Sequence, residues 1–174
     1  MGFKGFDKVS PSSGGNKFKV GNYLVMVNRF FSKESRKEVD MCILECKILV
    51  SDNQQMRPGS SADCLYMSDQ EASVADLKRV LMVALDEEDP GEITEESIEK
   101  IEKEETLIGL ILKVEAYEYV TKKNNKTIVL CRWAQASAAE QEKAAKAGVE
   151  LEIMSAEIAS AYLPKKSNTK SATL

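Results

Sequence analysis

Two short turns concentrate positive charge in this chain of 174 residues. Residues 32–37 (SKESRK) hold Lys33, Arg36 and Lys37 against one acid. Residues 121–126 (TKKNNK) hold Lys122, Lys123 and Lys126. Each turn sits beside a stretch rich in β-branched and aromatic residues. Arg29 and Phe31 precede the first, Tyr117 and Tyr119 precede the second, and Arg132 follows it. Lysines in turns are ordinarily solvated surface. Lysines beside exposed rings are a different matter. A cationic groove tracks phosphates, and flat side chains give unpaired bases a stacking surface. That pairing points to a single-stranded nucleic acid.

Other chemistries are poorly supplied. The chain has no histidine, which removes His-dependent triads and the commonest general base. It shows no phosphate-binding glycine loop and no nucleophile motif. A non-enzyme is expected. Cys42, Cys46, Cys64 and Cys131 include no C-x-x-C pair, so the expectation is no metal and no cofactor, with reduced thiols used as small core residues. The acids at 86–106 lack the spacing of a calcium loop. No apolar run reaches the ~18 residues of a membrane span, and the start of the chain lacks a signal-peptide core. The expected location is the cytoplasm.

Net charge is −4, which argues against a nucleic-acid partner until its distribution is considered. Residues 86–106 contain eleven acids against Lys100 and Lys103, a net −9. The remainder is therefore +5. An acidic block is joined to a mildly basic body.

Hydrophobic patterning supplies the elements that would position these residues. Residues 20–31 read as a first strand. Residues 38–51 read as a second, with Cys42, Leu44, Cys46, Ile48 and Val50 on a core face and Glu45 and Lys47 on the other. Residues 60–67 give a third. Ser68 and Glu71 have capping-box spacing before a helix at 69–85, whose stripe is Val74, Leu77, Leu81 and Leu85. Thr94 caps a short helix running to Glu105, and its stripe of Ile98 and Ile101 is narrow. Residues 107–120 form a fourth strand, with Ile108, Leu110, Leu112, Val114 and Ala116 facing inward. Residues 127–134 form a fifth, on which Arg132 and Trp133 face opposite ways, so only one can join Tyr117 and Tyr119. Ser137 and Glu140 repeat the capping-box spacing, and the helix after them should stop at Gly148. Residues 149–163 fit either a short strand or a further helical turn.

Three strands, a helix and two strands is the element order of an OB-fold. The expected fold is mainly β: a five-stranded OB-fold-like barrel with a helix between strands 3 and 4 and a C-terminal helix. In that fold the ligand crosses strands 2 and 3 between the 1–2 and 4–5 loops, where the two basic turns fall. Residues 1–19 read as a flexible basic arm of net charge +3. Residues 20–154 form the domain, with the acidic insertion at 86–106, and 155–174 form a tail. The candidate binding set is Arg29, Phe31, Lys33, Arg36, Lys37, Lys47, Tyr117, Tyr119, Lys122, Lys123, Lys126 and Arg132.

Residues 21–85 carry a further pattern. It opens with Gly21, Tyr23, Val25 and Val27, then a turn of Ser35, Arg36 and Lys37. Glu45, Ile48, Leu49 and Ser51 follow on a strand, then Pro58-Gly59, then a helix ending in Leu77, Lys78, Leu81, Ala84 and Leu85. This pattern resembles bacteriophage proteins similar to single-stranded DNA-binding proteins. The resemblance implies an OB-fold and sequence-tolerant binding of single-stranded DNA in phage replication or recombination, in the host cytoplasm. Replication or recombination proteins, and a second copy of the chain, are further partners it allows. Such phage proteins often end in an acidic tail, whereas the acidic block here is internal. The competing reading is a non-enzymatic interaction module on the same barrel, whose acidic segment contacts a basic partner.

Overall fold

The computed structural model describes residues 17–162. Residues 1–16 and 163–174, which include most of the expected arm and tail, lie outside the described residues. Five strands form one antiparallel sheet: β1 (Gly21–Glu34), β2 (Asp40–Ser51), β3 (Ser61–Met67), β4 (Ile111–Val120) and β5 (Thr127–Gln135). Its order is β3-β2-β1-β4-β5. The long strand β1 pairs with β2 along nearly its whole length and with β4 at its N-terminal half. Three α-helices complete the fold: α1 (Glu71–Leu85), α2 (Glu95–Lys103) and α3 (Ala138–Tyr162). Among the described residues no helix is long and apolar enough to cross a membrane.

The sheet is not closed into a barrel, contrary to expectation. β3 and β5 are both edge strands. Helix α1 packs against both, and Gln135 Nε2 on β5 donates to the Val83 carbonyl at 3.0 Å. Leu77, Val80 and Leu81 from α1 fill the concave inner face. Apolar burial is thus completed by a helix where a ladder between β3 and β5 would otherwise seal the core.

The inner face is the one that strand alternation indicates. Leu44, Cys46 and Ile48 of β2 are buried with Leu112, Val114 and Ala116 of β4, and Cys42 packs at their margin. Trp133 is core. Phe18 joins it, with ring centroids 5.2 Å from Tyr23 and 5.9 Å from Trp133. The body of the protein therefore includes the end of the stretch read as an arm.

Five local expectations are corrected. Strand β4 begins at Ile111, not 107, because residues 107–110 turn back onto β1: Gly109 N donates to Val27 O at 2.8 Å, and Val27 N to Leu110 O at 2.9 Å. Gly109 has φ +86, a conformation glycine adopts without the steric penalty of a Cβ. The turn buries Leu107 and leaves Ile108 exposed, where a continuous strand would have faced it inward. The Ser68–Glu71 capping box does not form. The Ser68 amide instead donates to Asp40 O at 2.9 Å, so α1 starts at Glu71 with Gln70 as an uncapped N-cap. Val74, placed in the core stripe, is exposed.

The other two concern helices. The acidic segment is firmly fixed, not loosely packed. A Thr94–Ser97 capping box starts α2, and Ile93, Ile101 and Leu107 are buried in the main core. Helix α3 starts with the expected Ser137–Glu140 pair but runs through Gly148 to Tyr162, past the boundary placed at 154. Ala, Glu, Lys, Leu and Met around Gly148 favour helix enough to absorb its cost of about 1 kcal/mol.

Candidate functional site

The sheet's outer face is set by strand register. Arg29, Phe31 and Lys33 of β1 pair with Glu45, Ile43 and Met41 of β2. Those β2 residues in turn pair with Asp63, Leu65 and Met67 of β3. On the other flank, Glu115, Tyr117 and Tyr119 of β4 pair with Arg132, Leu130 and Ile128 of β5. Cross-strand partners share a face. All seven strand-borne candidates (Arg29, Phe31, Lys33, Lys47, Tyr117, Tyr119 and Arg132) therefore lie on one face, opposite the core.

Two similar clusters stand on that face. The Arg29 guanidinium lies 4.4 Å from the Phe31 ring centroid and 3.8 Å from the Glu45 carboxylate. The Arg132 guanidinium lies 5.0 Å from the Tyr117 ring centroid and 3.0 Å from Glu115. In each, a glutamate and an aromatic ring together restrain an arginine. The result is a guanidinium set beside an aromatic ring, its charge balanced by a neighbouring carboxylate.

Helix α3 separates them. Ala144, Ala147 and Leu151 cover Leu24, Leu49, Met26, Val50 and Ile111 at the middle of the outer face. Lys113 pairs with Glu140 of α3 at 3.5 Å. Lys47, opposite Met26, is half-buried beside this covered zone. The twelve candidates are thus not brought into one groove.

The basic turns follow the same division. Arg36 and Lys37 are exposed in the β1–β2 turn, which is closed by Ser35 N donating to Val39 O at 2.8 Å. Lys122, Lys123 and Lys126 are exposed in the β4–β5 turn, closed by Thr121 N donating to Lys126 O at 2.9 Å. Gly21 at the start of β1 pairs with Ala116, and β4 continues to Val120. The β4–β5 turn therefore lies beyond the N-terminal end of β1, and the β1–β2 turn beyond its C-terminal end. Each arginine–aromatic cluster has its own basic turn.

Acids modulate both clusters, and the sequence reading missed most of them. Glu45 was placed on the right face, but its pairing with Asp63 was not foreseen. Asp63 is only 8% exposed, and its Oδ1 has no hydrogen-bond partner. Burial, then the Glu45 charge, raises its pKa above the ordinary carboxylate value, with Arg29 opposing. Glu102 of the acidic segment accepts from Ser32 N at 3.1 Å and Ser32 Oγ at 2.7 Å. Glu102 and Glu105 line a cleft together with Arg29, Phe31 and Ile108. Only the fold places that segment beside the first cluster.

A scan against protein-family models finds no match. A search of curated proteins finds no similar chain.

Proposed function

We propose that the outer face binds single-stranded DNA with little sequence preference, as a non-enzymatic protein of phage replication or recombination. The observation that carries this reading is the repeated arginine-over-aromatic cluster, each copy flanked by its own basic turn. Bases stack on rings and on guanidinium planes whatever their identity, and lysines neutralise the phosphates between them. Phe31 with Arg29 would serve one short stretch of strand, and Tyr117, Tyr119 and Arg132 another. Helix α3 keeps the two stretches apart, so the protein offers two small platforms rather than one continuous track. The finer fold reading, an open OB-type sheet, rests on the element order and on α1 packing against both edge strands, β3 and β5.

The direct test is a titration with fluorescent oligonucleotides of several lengths, single- and double-stranded, at low and moderate salt. The reading requires tighter binding to single strands and loss of affinity with added salt. Equal affinity for duplex, or none at low salt, ends it.

A second reading has its own observation. Glu95, Glu96 and Glu99 are exposed on a capped, anchored helix, a preformed acidic surface suited to a basic protein partner. A single-strand titration that fails, with a basic partner captured through α2, would favour it.

A further inference from the structure

Helix α3 outruns the sheet that it covers. Ala144, Ala147 and Leu151 seat its first half on the outer face. Leu151 also reaches the loop of residues 52–60 that joins β2 to β3: a Cβ placed on Gly59 would stand 3.4 Å from Leu151 Cδ2. Beyond Leu151 the helix runs on to Tyr162, an overhang of about 16 Å at the α-helical rise. The seated stripe continues along it as Met154 and Ile158, three and seven residues past Leu151. Both are more than half exposed, and so are Val149 and Ile153 beside them. A few turns of unpacked helix are marginal in water, and a run of exposed apolar side chains marks a contact surface.

The charge on the overhang narrows what can cover it. Residues 149–162 hold Glu150, Glu152 and Glu157 and no base. Glu150 lies four residues before Met154 and Glu157 three after it, so both flank that side chain on the helix surface. Two overhangs from two copies would set three acids against three. Residues 163–174 bring Lys165, Lys166 and Lys170, but their only large apolar side chains are Leu163 and Leu174. Residues 1–16 bring both ingredients: Met1, Phe3, Phe6 and Val9, with Lys4 and Lys8 interleaved against Asp7 alone.

The place where that segment joins the body also fits. Lys19 N donates to Met56 Sδ at 3.1 Å, Lys19 Nζ to Gln55 Oε1 at 3.1 Å, and Asn53 Nδ2 to Val20 O at 2.9 Å. These partners belong to the same loop whose Gly59 meets Leu151. The segment thus enters the body on the loop from which the α3 overhang departs. From Phe3 to Lys17 an extended chain spans up to about 45 Å, well beyond the length of the overhang. We propose that residues 1–16 dock in cis on the free half of α3, with Phe3 and Phe6 on Met154 and Ile158 and with Lys4 and Lys8 beside Glu150 and Glu157. The tether keeps the effective concentration of the segment high, so a small contact suffices. Docked there, it hides the apolar surface from other chains.

The test links amines to adjacent carboxylates with a carbodiimide, in an equal mixture of ordinary and heavy-isotope-labelled full chain, followed by digestion and peptide mass mapping. The expected links join Lys4 or Lys8 to Glu150, Glu152 or Glu157, with both peptides of each link carrying the same isotope. The second arm is Phe3→Ser with Phe6→Ser, which leaves every described residue in place. It should speed amide exchange across residues 152–162 about tenfold and leave β1 and β2 unchanged. Absence of those links would overturn the proposal. Links of mixed isotope would overturn it too, and would give the surface to a second copy. Exchange that the double variant leaves unchanged would mean that the rings do not cover the helix, which ends the proposal equally.

Discussion

Glu45 and Asp63 are direct cross-strand partners on the outer face, two carboxylates side by side with Arg29 as the cation next to them. Like charges directly opposite each other destabilise a strand pair. Here the deeper member is also nearly buried and has an unpartnered oxygen.

Asp63→Asn is therefore expected to raise the Tm at neutral pH. The pKa of Asp63 is raised on folding, so the folded state holds its proton more tightly than the unfolded chain does. Stability falls as pH rises from the unfolded value through the folded one, and the full penalty is present above that. The difference in Tm between variant and parent should appear at neutral pH and shrink away below about pH 3.5. A variant equally stable or less stable at pH 7 would mean that Arg29 already compensates the charge.

Leu44 tests the inner face. It is 1% exposed and belongs to the main core, whereas Leu65, on β3 and the opposite face, is 41% exposed. Leu44→Ala should cost about 2–5 kcal/mol in denaturant unfolding. Leu65→Ala should stay within about 0.5 kcal/mol, because little is buried there. Comparable losses at both positions would contradict the assigned faces.

Strand alternation made much of this legible. Cys42, Leu44, Cys46 and Ile48 showed the core side of β2 without any partner strand being known. Period alone cannot give register, and register is what sets Glu45 against Asp63 and Arg132 against Glu115. Nor does it show closure: the five strands suited a barrel, but α1 occupies the gap between β3 and β5. Gly148 illustrates a third limit. A glycine after a helical stretch is a common stop, yet a helix continues when residues on both sides favour it and its near half packs on Leu24 and Leu49. The start of helix α3 was legible at Ser137 and Glu140, but its continuation past Gly148 and its seat on the outer face were not. The anchoring of the acidic segment depended on Ile93 and Leu107, which lie outside the narrow stripe of α2.

Binding should respond differently to rings and to lysines. Tyr117→Ala should weaken single-strand affinity by about 1–3 kcal/mol, toward the lower figure because Arg132 already covers one face of the ring. That loss should vary little with salt. If the five cations of the two turns together with Lys33 neutralise about three to five phosphates, log K should fall with log salt at a slope of about −2 to −3.5. Reversing the charges in one turn should flatten the slope partially, and reversing both should flatten it further, since each cluster has its own turn. A slope that one reversal abolishes would assign all the phosphate contacts to a single cluster. A slope that neither reversal changes would move them elsewhere.

The acidic segment bears on the first cluster alone. Glu102 is tied to Ser32, and Glu105 lines the cleft that Arg29 and Phe31 share. A phosphate approaching Arg29 would meet these carboxylates at short range, so the segment would act as an electrostatic gate on that platform. Replacing the whole segment is a poor test, because Ile93 and Ile101 are buried core residues. The better variant neutralises Glu99, Glu104 and Glu105, which are exposed, as Gln, and leaves Glu102 and the apolar anchors in place. It should bind a single strand roughly three- to tenfold more tightly at about 0.05 M salt, with the gain fading near 0.5 M as screening removes the repulsion. The same substitutions should leave the effect of Tyr117→Ala unchanged, since that ring belongs to the other cluster. Equal affinity at both salt concentrations would reduce the segment to a solubilising surface, and a gain that persists at high salt would point to altered packing rather than charge.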